Sequence, residues 1–207
     1  MAKIKISENG PYTVENLQKL TDSKNTEFEN KEVIALCRCG ASNNKPYCDG
    51  SHASTGFSGE KERKEQPAIN EFEGKQITVV DNSGVCCHAG ACVTGSPEVF
   101  FSRDQDGKRI SNPDRGEKEN TIQTISKCPS GALTYKVKDE FFDDYFSDEE
   151  ISIAKNGPLH VRGGIELDDE SKKELNSENH YTLCRCGASR NKPFCDGVHK
   201  VINFSGD

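Results

Sequence analysis

The sequence predicts a small multi-domain protein of α+β class: two β-rich modules copied from one sequence, with a different α+β unit between them. Three observations carry this. A pattern of three cysteines and one histidine, C-x-C-x8-C-x3-H, runs from Cys37 to His52 and again from Cys184 to His199. The sequence around the two copies is itself repeated without a gap. The residues between the repeats hold four further cysteines, in a strand and helix pattern unlike either copy.

Residues 9–59 align with residues 156–206 at a constant offset of 147, with about half of the positions identical. Asn9-Gly10-Pro11 matches Asn156-Gly157-Pro158, Leu36 matches Leu183, and Phe57-Ser58-Gly59 matches Phe204-Ser205-Gly206. Such self-similarity marks a duplicated structural unit. In each copy an Asn-Gly-Pro turn leads into an extended piece, Pro11–Val14 or Pro158–Val161. A short strand, Glu32–Leu36 or His180–Leu183, then runs into the first cysteine. A loop bearing Gly and Pro reaches the third cysteine, and Asp-Gly-x-His suits one helical turn.

The mixed-charge run Glu60–Pro67 reads as a linker or solvated helix end. Residues 68–138 form the separate unit, in the order β-α-α-β. Gln76–Val80 is its first strand, Val85–Cys92 a loop entering a helix, Glu117–Ser126 a second helix, and Leu133–Val137 the returning strand. Asp139–Glu150 is acidic but carries Phe141, Phe142, Tyr145 and Phe146, spaced for one face of a helix. It is expected to be a linker helix packed on a neighbouring domain; the alternative is a docking patch for a partner. The expected domains are residues 1–66, 67–138, 139–155 (the acidic aromatic linker) and 156–207.

Composition narrows the class. Of 207 residues, 32% are hydrophobic and none is Trp, so each unit buries a modest core and needs a staple. Ten cysteines supply one. No secretory signal and no membrane-length apolar run are present, so a cytoplasmic protein with reduced thiols is expected, and metal binding is preferred to disulfides. The net charge of −7 argues against a nucleic-acid partner and permits docking on basic protein surfaces.

Cys37 and Cys39 bring two thiolates close enough to share one iron, and Cys48 and His52, four apart on a helical turn, face the same way and can share a second. Three thiolates and one imidazole are the four ligands that a [2Fe–2S] cluster needs. A structural Cys3His zinc site needs the same set and stays open on ligand type alone. Asp49 is placed to cap the turn and orient the site.

The segment Cys-x-Cys-x2-Ser-x3-Pro-x-Cys-Asp-Gly-x-His, with Leu36, Arg38 and Lys45 around it, resembles the CDGSH, or NEET, iron–sulfur family. The resemblance covers both repeats. It implies one [2Fe–2S] cluster on Cys37, Cys39, Cys48 and His52, and another on Cys184, Cys186, Cys195 and His199. It also implies that the repeats pair as a pseudo-dimer within one chain, giving a monomer; a swapped homodimer is the alternative. Val198 departs from the family, which has a small or hydroxyl residue there. The histidine ligand removes one negative charge, favouring the reduced cluster.

Four cysteines remain: Cys86, Cys87, Cys92 and Cys128. Laid on a bacterial ferredoxin run, Cys86 and Cys92 take the first and third positions, Ala89 stands where the second thiol belongs, and Cys128-Pro129 closes the site. Residues 68–138 resemble divergent mono-cluster ferredoxin domains, through C-x-H-x3-C, Val-Phe and Cys-Pro-Ser-Gly-Ala in order. They also resemble bacterial ferredoxins lacking the second cysteine. The resemblance implies a ferredoxin-like insert with one cuboidal cluster on Cys86, Cys92 and Cys128. The missing thiol favours [3Fe–4S], with [4Fe–4S] as the alternative. Cys87 and His88 are candidate fourth ligands; adjacent loop residues point in different directions, so each is read as a neighbour. His160 and His180 lie outside the motifs and are expected at the surface.

The expected function is electron transfer between redox partner proteins, without enzymatic activity and without membrane or nucleic-acid contacts. The alternatives are an iron–sulfur or iron donor to apo-acceptor proteins, and a zinc-stabilised interaction module.

Overall fold

Each module begins as a hairpin closed by its Asn-Gly-Pro turn, where Ser7 N–H donates to Pro11 C=O at 3.1 Å. The computed structural model describes residues 1–29, 31–64 and 69–206. Of the expected linker Glu60–Pro67, residues 60–64 are described and form neither helix nor strand; the rest lies outside the described residues.

In the first module β1 (Lys3–Ile6) pairs antiparallel with β2 (Tyr12–Glu15), β3 (Lys19–Thr21) follows, and β4 (Val33–Leu36) pairs with β2. Tyr12 and Val14 alternate inward while Thr13 and Glu15 are half-buried, the period of a strand with one face on a core. The insert contains β5 (Ile69–Glu73), β6 (Thr78–Asn82), α1 (Ala91–Gly95), α2 (Pro97–Phe100), a ribbon of β7 (Ser102–Arg103) and β8 (Arg109–Ile110), α3 (Lys118–Ser126), β9 (Leu133–Val137) and β10 (Glu140–Phe142). The expected β-α-α-β core is present as β6, α1, α3 and β9. Edge strands β5 and β10 widen it to a sheet ordered β10-β9-β6-β5. Pro97 starts α2, where its missing N–H costs nothing. Thr121, Thr124 and Ile125 form the buried stripe of α3.

The second module repeats the first as β11 (Glu150–Ile153), β12 (Leu159–Arg162), β13 (Glu166–Asp168) and β14 (Tyr181–Leu183). The modules exchange strands. β13 adds parallel to β1, with Ile4 beside Leu167, and β3 adds parallel to β11, with Leu20 beside Ile151. The sheets are therefore β13-β1-β2-β4 and β14-β12-β11-β3, each completed by the other repeat. Buried Ile4, Val14, Leu36, Ile151, Val161 and Leu183 belong to one core, continuous with Val79, Val99, Phe100 and Ile125 of the insert.

The acidic stretch departs from expectation. Asp139–Glu150 holds no helix: β10 pairs with β9, a loop follows, and Glu150 opens β11. The linker thus ends in the first strand of the second module. Backbone pairing to β9 overrides the helical spacing of the aromatics, and in a strand neighbouring side chains part. Phe141 is 41% exposed, while Phe142 stacks on Tyr135 with ring centres 5.0 Å apart. Tyr145 and Phe146 pack against the His180 ring at 5.4 and 5.2 Å. The expected packing on a neighbouring domain holds for these rings, without the helix. No helix among the described residues is long and apolar enough to cross a membrane.

His180 also departs from expectation: it is fully buried, its Nε2 3.0 Å from the Cys128 carbonyl and its Nδ1 3.2 Å from Ser177 Oγ. Burial lowers its pKa to about 4. His160 is half-buried in β12 between Ser152 and Thr182, and burial lowers it to about 4 as well.

Candidate metal centres

Strand β4 delivers Cys37 directly. Its N–H donates to Pro46 C=O at 2.8 Å and Cys48 N–H to Ala35 C=O at 2.8 Å, so the third cysteine folds back along the strand that carries the first. Cys184 and Cys195 repeat this against Pro193 and Thr182 at 2.8 and 3.2 Å. The sulfurs of Cys37 and Cys39 stand 3.8 Å apart, and those of Cys184 and Cys186 3.7 Å. Cys48 Sγ lies 3.4 Å from His52 Nδ1, and Cys195 Sγ 3.4 Å from His199 Nδ1. Each site thus presents two donor pairs. Among the described residues no three His, Cys, Asp or Glu side chains close on a single ion.

Asp49 orients the first loop. Its carboxylate accepts from Ser51 Oγ at 2.6 Å, Asn43 N at 2.8 Å and Ser51 N at 3.0 Å, and these bonds, Ser51's hydroxyl foremost, hold its pKa well below the usual carboxylate range. Asp196 accepts from Arg190 N and Val198 N at 2.9 and 3.1 Å; Val198 has no hydroxyl to add a third. Arg38 and Arg185, between the paired cysteines, turn away from the sites. Their guanidiniums donate to Ser7 and Gly59 carbonyls, and to Gly157 and Gly206 carbonyls, tying the module ends together.

The two cysteine turns meet. A Cβ on Gly40 would lie 2.6 Å from Cys186 O, and one on Gly187 2.3 Å from Cys39 O, so only glycine permits this contact. The thiols differ from ordinary ones. Burial raises Cys39 and Cys195. The close Cys186 thiol lowers Cys184, and Cys186 is itself driven up in return.

The insert supplies the third centre, a cavity lined by Cys86, Cys87, Cys92, Cys128, Arg109 and Ser130 among others. Cys87, expected as a bystander, lines it beside Cys86. Both adjacent cysteines line it, and the loop that follows them turns through positive φ at His88 and Gly90. His88 is not among the cavity's walls and packs against Gly197 of the second module instead. Burial pushes Cys87 up to about 12 and raises Cys92 and Cys128. Sequence reasoning missed Arg109. It forms an ion pair with buried Asp81, Nε to Oδ2 at 2.5 Å, and its Nη1 lies 3.7 Å from Cys86 Sγ.

The donor sets suit iron–sulfur groups. Buried thiols become thiolates when a metal cation offsets the cost of burying their charge. Each duplicated site offers two donor pairs, and four cysteines of the insert line one cavity.

The family described as "Iron-binding zinc finger CDGSH type" matches residues 9–53 and 156–200, and the family described as "Divergent 4Fe-4S mono-cluster" matches residues 72–138. The curated proteins "Uncharacterized protein YjdI" of Escherichia coli K12 and of Escherichia coli O157:H7 are each 34% identical over 67 residues, which is 32% of this chain and 84% of theirs. No solved structure matches. The chain is therefore an iron–sulfur protein of the CDGSH type, two copies of that module flanking a divergent 4Fe-4S mono-cluster domain.

Proposed function

We propose that this chain is an electron-transfer protein with a [2Fe–2S] site in each CDGSH module and a [4Fe–4S] site in the insert. Bound there, such clusters supply one-electron storage. The observation that carries the reading is the adjacency of the three donor sets. The cysteine turns of the modules touch at Gly40 and Gly187, and Cys87 of the insert lies against Gly197, two residues from Cys195. Cys87 beside Cys86, Cys92 and Cys128 favours four irons over the three expected from the missing thiol at Ala89.

On this reading the residues hold and tune. Amide N–H groups of Ala41 and Gly50 donate to Cys39 and Cys48 sulfurs at 3.4 Å, and Gly197 does the same for Cys195. Donors to ligating sulfur offset negative charge and favour reduction. The chain acts as a carrier rather than an enzyme, working as a monomer between redox proteins. Ten cysteines at metal-ligand spacings suit a reducing compartment such as the cytoplasm.

The half-buried Cys48 and His52 favour a second reading, donation of iron–sulfur units to apo-acceptors. Anaerobic reconstitution separates the readings. Electron transfer predicts about eight irons per chain with matching sulfide, and reversible reduction without loss to an apo-ferredoxin. Transfer to the apo-ferredoxin supports the donor reading, and a colourless zinc protein overturns both.

A further inference from the structure

The duplicated motifs have nearly one sequence but two environments. In the first module Asn44, Gly50 and Ala53 are exposed, and a Cβ on Gly50 would meet nothing within 4 Å. In the second, the equivalent Asn191 is fully buried, and its Nδ2 donates to Gly84 C=O of the insert at 2.8 Å. A Cβ on Gly197 would lie 3.1 Å from both Cys87 O and His88 Cβ. Lys200, which replaces Ala53, reaches His88 C=O at 2.5 Å. His199 is 9% exposed and Cys195 3%, whereas His52 and Cys48 are half-buried. Among the described residues these contacts of the insert fall on the second copy's motif.

We propose that the two CDGSH sites are unequal by construction. The first is the open port where iron is exchanged with chelating molecules or partners. The second is sealed by the Gly84–His88 segment and retains its iron. This rests on the iron–sulfur reading above. Its physical basis is access: a ligand that displaces Cys48 or His52 approaches across the open rim at Gly50 and Ser51. At Cys195 and His199 the same approach requires the insert to lift and break the Asn191 and Lys200 hydrogen bonds.

The test is removal of iron by EDTA from the fully loaded chain at one fixed pH, followed by the EPR signal of the reduced [2Fe–2S] sites. Two phases of equal amplitude are expected, the slower by about tenfold because opening must break the seal's hydrogen bonds. Cys39→Ser removes the fast phase and Cys186→Ser the slow one. Lys200→Ala, at an exposed position whose substitution spares the fold, accelerates the slow phase alone; Asn191→Ala does so more strongly. Equal rates in a correctly loaded protein, or a fast phase abolished by Cys186→Ser, overturn the proposal. Zinc in place of iron at the outset overturns the iron–sulfur reading and this one with it.

Discussion

The Tyr12 hydroxyl donates to the Cys184 carbonyl at 2.9 Å, across the two modules and from the heart of the core. A second acceptor, Pro193 C=O, stands 3.1 Å away. Burial holds the phenol protonated far above its ordinary range, so it remains a donor. The equivalent residue of the other module is Leu159, so the contact is made once. Tyr12→Phe keeps the ring and removes the bond. It is expected to destabilise the chain by about 1–2 kcal/mol, since the buried Cys184 carbonyl loses its hydroxyl donor. Urea denaturation checks this, and an unchanged midpoint would mean the hydroxyl holds nothing.

Gly50 and Gly197 are equivalent in sequence and both left-handed, with φ of 90° and 83°. Alanine at either position pays the left-handed strain, roughly 1–2 kcal/mol. Only at Gly197 does the added methyl also crowd Cys87 O and His88 Cβ. Gly197→Ala is therefore expected to lower the denaturation midpoint more than Gly50→Ala and to loosen the insert from the second module. Equal losses would show that the insert does not press on this turn.

The candidate donor sets were legible because their information is local. Cys37, Cys39, Cys48 and His52 lie within one turn-rich loop, and duplication repeats the spacing intact. Strand β4 and helix α3 were legible by periodicity. The exchange of β3 and β13 was not, because their partners lie across the whole insert and nothing in Lys19–Thr21 marks which edge it joins. The spacing of Phe141, Phe142, Tyr145 and Phe146 fits a helix face, but pairing with β9 decides the backbone of the first two. Burial of His180 and Arg109 depends on contacts from distant segments, Cys128 and Asp81, that no local pattern encodes.

Arg109 couples the third centre to the sheet. Its guanidinium neutralises Asp81, which is 2% exposed, and reaches the Cys86 sulfur. Arg109→Leu leaves a buried carboxylate unpaired and should cost about 3–5 kcal/mol. Asp81→Leu added to it should recover part of that loss. The double variant also removes the positive charge beside Cys86, and a nearby positive charge favours the extra electron of the reduced state. Its third-centre potential is thus expected to be more negative than wild type, with the CDGSH potentials unmoved. Redox titration followed by EPR reads this, and an unshifted potential would separate Arg109 from the centre.

On the proposed iron–sulfur reading, Cys87 is the residue that sets the nuclearity of the third centre. If its thiol is the fourth ligand, Cys87→Ser loses one corner iron, and the count falls from about eight to about seven. An oxidised-state EPR signal of the three-iron type should appear with that loss. His88→Ala should keep the full count, because His88 packs on the second module rather than lining the cavity. Ala89 does line the cavity, at the position where a ferredoxin run carries its second thiol. Ala89→Cys in the Cys87→Ser background is therefore expected to restore the lost iron. A full count in Cys87→Ser with a lost iron in His88→Ala would reverse the assignment and make the histidine the ligand.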